Sequence, residues 1–574
     1  MSDIPIPAVG ARAPANTPAS VSVETVRASL VALLAASFAV IVLGVFRHTI
    51  DGDEYIFLSI IHRVANGERV GFLQTAYVHL LSWMTWMEHD EIVQVTIGRL
   101  IYVALWGGSL TLLYRLARRL LDPLGALASV VMFAIFFYCV ATAVDFRIDG
   151  LLLPVLLSVA LLLLNPTIGR VAAAGALSGL AVALSIKAVL WAPAFIGVLA
   201  VGLWGRQDRL RPILAGAFAG TATLAAIMLV HSRLISMDVT DIPATVGQGS
   251  SVAGGYMLLN GLVPRWDFLK LAVVTSSGTW ILLAIGTWLA LAGLRQARSR
   301  RNSLLLLLLA LPILSVIFYT NAFPYAYVVL MPTACLLAGH AFSTFATSGE
   351  RPKRIVALGC LGIAAIPMVP LAWEYRNDGQ ERQKRIVTEV HRLFPEPVAY
   401  IDISGLVASF PRRMVNITRF GLDHYGRAGV PAVANYIYTD KPPLLIVNTK
   451  VLQVWDEEQL ASLEWRLLPQ DEEAIRATYA HYWDQIWLAG RQWRDLAAGE
   501  SRSFEIVVPG DHTLIANGPV TVDGETYEPW TTVGLDEGPH ELFTTSAEPD
   551  LRILWGTRLM PPEDLPPSLA GAEE

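Results

Sequence analysis

Stretches of about twenty apolar residues recur along the first two thirds of this chain, and that is the length a helix needs to cross a lipid bilayer. Candidate spans run at roughly 29–46, 97–113, 124–143, 150–164, 171–186, 188–204, 213–231, 270–293, 303–319, 324–342 and 355–373, about eleven in all. Only 16% of the residues are charged, well below the roughly 25% of a soluble globular chain. Lipid is therefore the solvent for most of this surface. The net charge of −6 is small for 574 residues and argues against a nucleic-acid partner. Cys139, Cys335 and Cys360 all lie within apolar runs and read as packed thiols, not as a disulfide framework or a thiolate metal site.

The stretch 171–204 tests the count. As one helix it would be about 50 Å long, too long for a single crossing, so it divides at Ser185-Ile186-Lys187. Basic residues support the division. Arg115, Arg118 and Arg119 follow the second span, Arg170 the fourth, and Arg206, Arg209 and Arg211 the sixth. Arg295, Arg298, Arg300 and Arg301 follow the eighth, and Arg351, Lys353 and Arg354 the tenth. Cytoplasmic loops collect Lys and Arg. An N-terminus inside and a C-terminal region outside place every one of these clusters in the cytoplasm, whereas merging spans five and six reverses every later loop.

Three regions follow. Residues 1–26, rich in Ala, Pro, Ser and Val, read as a disordered cytosolic tail, and the apolar run behind them as a retained span and not a cleaved signal peptide. Residues 27–375 form the membrane domain, with a first outer loop at 47–96. Residues 376–574 form an outer soluble domain. Its first part, to about 475, mixes helical patterns with the strand Leu444-Leu445-Ile446-Val447. Its second part alternates Phe504-Glu505-Ile506-Val507-Val508 with turn pairs at Asn517-Gly518, Asp523-Gly524 and Glu537-Gly538, the pattern of a small β-sandwich. Its tryptophans (Trp455, Trp465, Trp483, Trp487, Trp493, Trp530, Trp555) read as core more than as sugar platforms.

Charged groups converge on the outer face. Arg47-His48-Thr49-Ile50-Asp51-Gly52-Asp53-Glu54-Tyr55 follows the first span. Ile56, Phe57, Ile60, Ile61 and Val64 then recur at helical spacing up to Asn66-Gly67, as in an amphipathic helix lying on the membrane surface. Asp51 suits the N-cap of that helix and Glu54 its capping-box partner, but capping leaves Asp53 without a structural task. Asp145-Phe146-Arg147-Ile148-Asp149-Gly150 fills a short outer turn, and Lys187 stands alone between two spans. Arg147 runs against the positive-inside bias; an interfacial anchor or a snorkelling side chain is the plainer reading of such groups. Transporters tend to hold charges near the bilayer midplane on broken helices. Here they sit at the outer ends of spans one, three and five, which suits a substrate with a buried tail and a head group at the interface.

These residues resemble the membrane glycosyltransferases that use polyprenyl-phosphate sugars: the protein O-mannosyltransferases, the lipid A aminoarabinose transferase and their bacterial relatives. The resemblance runs over roughly residues 30–375, in order. It is carried by Asp53-Glu54, Arg99-Leu100, Leu112-Leu113-Tyr114-Arg115-Leu116-Ala117-Arg118-Arg119-Leu120, Arg147-Ile148-Asp149, Lys187, and Phe323-Pro324-Tyr325-Ala326-Tyr327 running to Met331-Pro332. Tyr77-Val78-His79-Leu80 stands where relatives often have Pro-Pro-Leu, and Ala188 follows Lys187 where they often have Gly. The resemblance implies a GT-C-like helical fold in a bacterial plasma membrane, a polyprenyl-phosphate sugar donor and a hydroxyl acceptor.

It further implies Asp53 as the base, with Glu54 beside it as a second carboxylate or a cap. Arg147 and Lys187 hold the lipid phosphate, and Asp149 orients Arg147 or meets the sugar. Arg47, His79 and Tyr325 complete the candidate donor-binding set. The chemistry needs such a set. A hydroxyl is a poor nucleophile until a base takes its proton, and a departing phosphate needs cations in a low-dielectric place. Direct displacement inverts the anomeric centre. A divalent metal held by Asp51, Asp53, Glu54 and His48 or His79 is a further possibility by ligand type. A flippase or transporter of a lipid-linked substrate, and a non-catalytic scaffold for the outer domain, are the competing readings.

Overall fold

The computed structural model describes residues 22–68, 70–87, 90–236, 261–414, 425–463 and 465–560. Of the expected tail, residues 1–21 lie outside the described residues, as do 237–260 of the outer loop expected at 232–269 and 561–574 of the outer domain.

The membrane domain is helical. Its elements are α1 (Val23–Arg47), α2 (Gly52–Ala65), α3 (Val78–Leu81), α4 (Glu91–Ala117), α5 (Pro123–Ala134), α6 (Phe137–Thr142), α7 (Ile148–Leu163), α8 (Ile168–Leu184), α9 (Ala192–Leu203) and α10 (Leu210–Leu234). There follow α11 (Trp266–Thr275), α12 (Ser277–Gly293), α13 (Arg300–Leu309), α14 (Tyr327–Leu330), α15 (Cys335–Ala346), α16 (Arg351–Ala365) and α17 (Met368–Glu374). All eleven apolar stretches are helical. Six helical segments are long and apolar enough to cross a bilayer, and two bent pairs raise that to eight: α11 with α12, bent by 92°, and Pro324–Leu330 with α15, bent by 68°. The remaining three, α5, α7 and α8, are shorter apolar helices. The division within 171–204 falls where it is expected: α8 stops at Leu184, Ser185 is extended, and a 3-10 turn, Ile186–Trp191, leads into α9. Helices pack closely through small residues, as membrane helices do. A Cβ at Gly175 of α8 would lie 2.0 Å from the Gly216 carbonyl oxygen of α10, so these backbones touch.

The C-terminal domain contains α18 (Glu381–Leu393), α19 (Ala432–Asp440), α20 (Glu457–Ala461) and α21 (Pro469–Thr478). Its strands are β1 (Tyr400–Ile401), β2 (Leu444–Ile446), β3 (Tyr479–Trp483), β4 (Ile486–Leu496), β5 (Ser501–Ile506), β6 (Gly510–Ile515), β7 (Val520–Val522), β8 (Glu525–Tyr527), β9 (Thr532–Leu535), β10 (Gly538–Thr544) and β11 (Glu548–Trp555). One sheet runs β1-β2-β4-β11-β6-β9, with β3 also on β4; a second runs β5-β10-β7-β8. A boundary at 475 therefore does not break the sheet. β4 is long enough to pair with β2 and β3 near its start and with β11 along the rest, so the α/β and β parts share a strand. Asp523 and Gly524 both have positive φ, 52° and 87°, between β7 and β8, which is the turn their sequence predicts.

This domain is welded to the membrane domain. Tyr55, Leu58 and Ile61 of α2, Ile92 and Val95 of α4, Ile386 and Val390 of α18, and Leu406, Phe410, Ile486 and Leu488 belong to one buried apolar cluster. The inward face of α2 is thus Tyr55, Leu58 and Ile61, packed beneath the C-terminal domain. Ile56, Phe57, Ile60 and Val64, expected on the membrane surface, are only partly buried. Gln380 at the start of α18 donates to the carbonyls of Val45 and His48, and Ser409 and His391 both meet Glu91 at the tip of α4.

Candidate active site

The loop after α1 begins with a helix start built for precision. Asp51 is the N-cap of α2. Its side chain accepts from the Asp53 backbone N–H at 2.9 Å, and Glu54 Oε1 accepts from the Asp51 N–H at 3.0 Å, which completes the capping box. Glu54 is fully buried and faces Arg99 of α4, also fully buried. Arg99 donates to both carboxylate oxygens, at 2.6 and 2.9 Å. Its other N–H groups reach the carbonyls of His48 (2.8 Å) and Thr49 (3.1 Å), and the Phe146 N–H donates to Glu54 Oε2 at 2.7 Å. One ion pair therefore ties α4, the end of α1, the start of α2 and the Asp145–Gly150 turn together. Glu54, a candidate for the chemistry, is enclosed in this pair; its place is that of a positioning residue.

Asp53, one position earlier, points the other way. Its carboxylate pairs with Arg147, which also reaches Asp51 at 3.2 Å. Arg147 is the N-cap of α7, and Asp149 lies in the first turn, where a carboxylate is favoured by the helix dipole. Lys187, on the 3-10 turn after the break at Ser185, places its Nζ 2.6 and 2.8 Å from the two oxygens of Asp149. Both cations lie over one ring: Arg147 Cζ is 3.7 Å and Lys187 Nζ 4.4 Å from the Tyr325 centroid, within cation–π range. The turn reaches α4 because residue 150 is glycine; a Cβ there would lie 2.4 Å from the Tyr102 ring. Asp53, Arg147, Asp149, Lys187 and Tyr325 thus form one contiguous cluster from four separate places in the sequence. Arg147, Asp149 and Lys187 are buried, whereas the side chains of Asp51 and Asp53 are 53% and 41% exposed. Burial, and then the neighbouring Asp53 charge, raise the Asp51 carboxyl above its ordinary range, with Arg147 acting against them.

Other candidates are engaged elsewhere. Arg47 pairs with Asp378 at 3.8 Å. His79 meets His231 of α10 at 2.7 Å, and His231 in turn meets Thr75. The possible metal ligands do not converge either: Glu54 is spent on Arg99, His79 on His231, and among the described residues no group of three His, Cys, Asp or Glu side chains is placed to hold an ion. Asp51 and Asp53 instead share a guanidinium. Two residues beside this cluster are given no task by the sequence. Arg99 enters there only as part of the resemblance, although an arginine inside an apolar span is itself a signal. Asp145, buried and lining a cavity with Arg147 and Asp149, sits in the charged turn but has no pattern of its own.

The fold has counterparts among solved structures. The Archaeoglobus fulgidus oligosaccharyltransferase in its apo form aligns over 91% of this chain and 94% of its own, at 10% identity and a TM-score of 0.53. The chain has a GT-C fold. Another structure of the same archaeal protein, in complex with Zn and sulfate, aligns over 91% of this GT-C chain and 96% of its own, at 11% identity and a TM-score of 0.51. ArnT from Cupriavidus metallidurans bound to undecaprenyl phosphate aligns over 74% and 94%, at 15% identity and a TM-score of 0.49. No protein-family model and no curated protein matches the chain by sequence.

Proposed function

We propose that this GT-C protein is an inverting glycosyltransferase that moves a sugar from a polyprenyl-phosphate donor to an acceptor hydroxyl on the outer face of a bacterial plasma membrane. The observation that carries the reading is the pair of cations over Tyr325, with a half-exposed carboxylate on one of them. A lipid phosphate at Arg147 and Lys187 keeps its tail among the helices and its sugar near Asp53. The acceptor oxygen attacks the anomeric carbon from the face opposite the phosphate. The new C–O bond forms as the bond to the phosphate oxygen breaks. The acceptor proton passes to Asp53, and Arg147 and Lys187 take up the charge left on the phosphate. Arg147 contributes a planar fork and Lys187 a point charge. A single displacement inverts the centre. Asp53 pairs with Arg147, so a phosphate that takes over that guanidinium releases the carboxylate for its work as a base.

The basic loops support the orientation. A cysteine introduced within 500–540 should react with an impermeant thiol reagent in spheroplasts; labelling only after lysis reverses the topology. The chemistry is tested by a split between two variants. Asp53→Asn should lower consumption of an undecaprenyl-phosphate sugar by about 10²–10⁴, the usual contribution of a general base, and still bind undecaprenyl phosphate. Arg147→Ala should lose both. Full turnover by Asp53→Asn would overturn the assignment.

A further inference from the structure

Beneath the two cations a narrow cavity enters the membrane domain. It is lined by Tyr102, Trp106 and Ser109 of α4, by Thr142, Asp145, Arg147 and Asp149 across from them, and by Tyr325. Tyr102 and Ser109 lie seven residues apart on one helix, about 10 Å along its axis. Three buried polar atoms on its walls have no hydrogen-bond partner: Trp106 Nε1, Asp145 Oδ1 and Arg147 Nε. Asp145 and Trp106 are only 8% and 4% exposed. Buried polar groups are nearly always satisfied, so three such atoms on residues around one space mark it as a place where a polar group can bind. Its chemistry can be read from the walls. Ser109 and Thr142 donate their hydroxyl protons to the carbonyls of Leu105 and Tyr138 and so present only lone pairs to the cavity. With Asp145 they make three acceptors, against the N–H groups of Trp106 and Arg147. A group that both donates and accepts meets Asp145 on one side and the N–H groups of Trp106 and Arg147 on the other, and a hydroxyl, with one donor and two lone pairs, is such a group. A lipid tail offers nothing to it.

We infer that this cavity is a specificity pocket in which Asp145 and Trp106 bind a ring hydroxyl of the donor's glycosyl group. The inference rests on the glycosyltransferase reading. The space is now about that of one water molecule. Arg147 forms part of its wall and is tethered to Asp53 and Asp51; the phosphate that draws the guanidinium away also widens the pocket. Asp145 accepts from the hydroxyl and Trp106 donates to it, so the pocket reads the sugar while Arg147 and Lys187 read the phosphate.

The test uses the full-length protein in nanodiscs. Two kinds of probe are titrated: undecaprenyl phosphate, and a panel of undecaprenyl-phosphate hexoses and pentoses. The unaltered protein should prefer one sugar-bearing probe to the bare carrier. Asp145→Asn and Trp106→Phe should each weaken that probe about tenfold, the worth of one hydrogen bond of roughly 1.4 kcal/mol, and leave the bare carrier within twofold. Both substitutions preserve shape, and unchanged binding of the bare carrier doubles as a folding control. Equal losses on both probes would make these residues structural. No loss on either would make the cavity a water site. Either result overturns the pocket and leaves the function standing, whereas failure of the unaltered protein to bind any polyprenyl phosphate overturns both.

Discussion

Asp53 and Glu54 are neighbours in sequence and opposites in the fold. Glu54 and Arg99 form a closed set. Glu54 Oε1 accepts from the Asp51 N–H and Arg99, and Oε2 from the Phe146 N–H and Arg99. The guanidinium spends its remaining donors on backbone carbonyls of the last turn of α1 and of the segment that joins it to α2. Neither side chain has any exposure. Asp53 and Arg147 form an open set: one partner faces solvent, the other keeps an unused N–H over a cavity, and a second cation lies across the same ring. A buried pair whose valences are all filled has nothing left for a substrate. It can only hold other groups in place. A set with unused valences and one exposed member can exchange partners, and exchange is what binding and release require. Burial of charge is common to both; the bookkeeping of hydrogen bonds separates scaffold from site.

The largest effect that can break this contrast belongs to the closed set. Glu54→Gln leaves Arg99 as an uncompensated buried charge, which costs about 3–5 kcal/mol when one partner of such a pair is removed. The variant should melt far below the unaltered protein, with loss of the Asp145–Gly150 turn and of every ligand bound there. A Glu54→Gln protein with normal thermal stability and a pure loss of turnover would place Glu54 in the chemistry instead. A smaller effect belongs to the open set. Asp53 competes with the donor phosphate for Arg147, so Asp53→Asn should bind undecaprenyl phosphate more tightly, by about threefold to tenfold, or roughly 1 kcal/mol. The gain should shrink as salt screens the half-exposed carboxylate. Weaker binding measured in the same titration would show that Asp53 attracts the donor and does not compete with it.

Much of this was legible before the fold. The apolar stretches, the break before Lys187 and the capping pair Asp51 and Glu54 follow from local rules: span length, charge bias and helix-cap chemistry. The convergence of Asp53, Arg147, Lys187 and Tyr325 is legible in the order of weak motifs and in charges at the ends of three spans, because short turns keep such groups at one end of the helices. What the sequence withheld was pairing at long range. Nothing local says that Glu54 turns inward to Arg99, 45 positions away, while Asp53 turns outward, since both occupy the first turn of the same helix. His79 looked available because its partner, His231, is 152 positions distant. The shared strand β4 was hidden for a related reason: composition changes near 475, but hydrogen bonding across a sheet has no regard for composition.

The smallest expected effect concerns Asp51, which touches both sets. It caps α2 and reaches Arg147, so a capping role and a role in the chemistry predict different outcomes. Asn caps a helix about as well as Asp, whereas Ala loses about 1 kcal/mol. Asp51→Ala should therefore lower thermal stability modestly, and Asp51→Asn should not. The charge adds a pH signature. Burial and Asp53 raise the Asp51 carboxyl in the folded chain, so the folded state holds this proton more tightly than the unfolded chain does. For a raised acid the linkage runs downhill with pH: its contribution to stability is fullest below the ordinary carboxylate value and is lost as pH climbs through the raised one. At neutral pH the charged Asp51 is then a small liability that Asn lacks. Asp51→Asn should equal or slightly exceed the unaltered protein there, and its relative advantage should shrink as the medium is acidified toward the ordinary carboxylate range. Melting curves at several pH values measure the difference, which is small because the side chain is half exposed. Turnover decides the role. If Asp51 only caps, Asp51→Asn keeps activity within about threefold, as mild stability effects do. A loss as deep as that of Asp53→Asn would move Asp51 from the frame of the site into its chemistry.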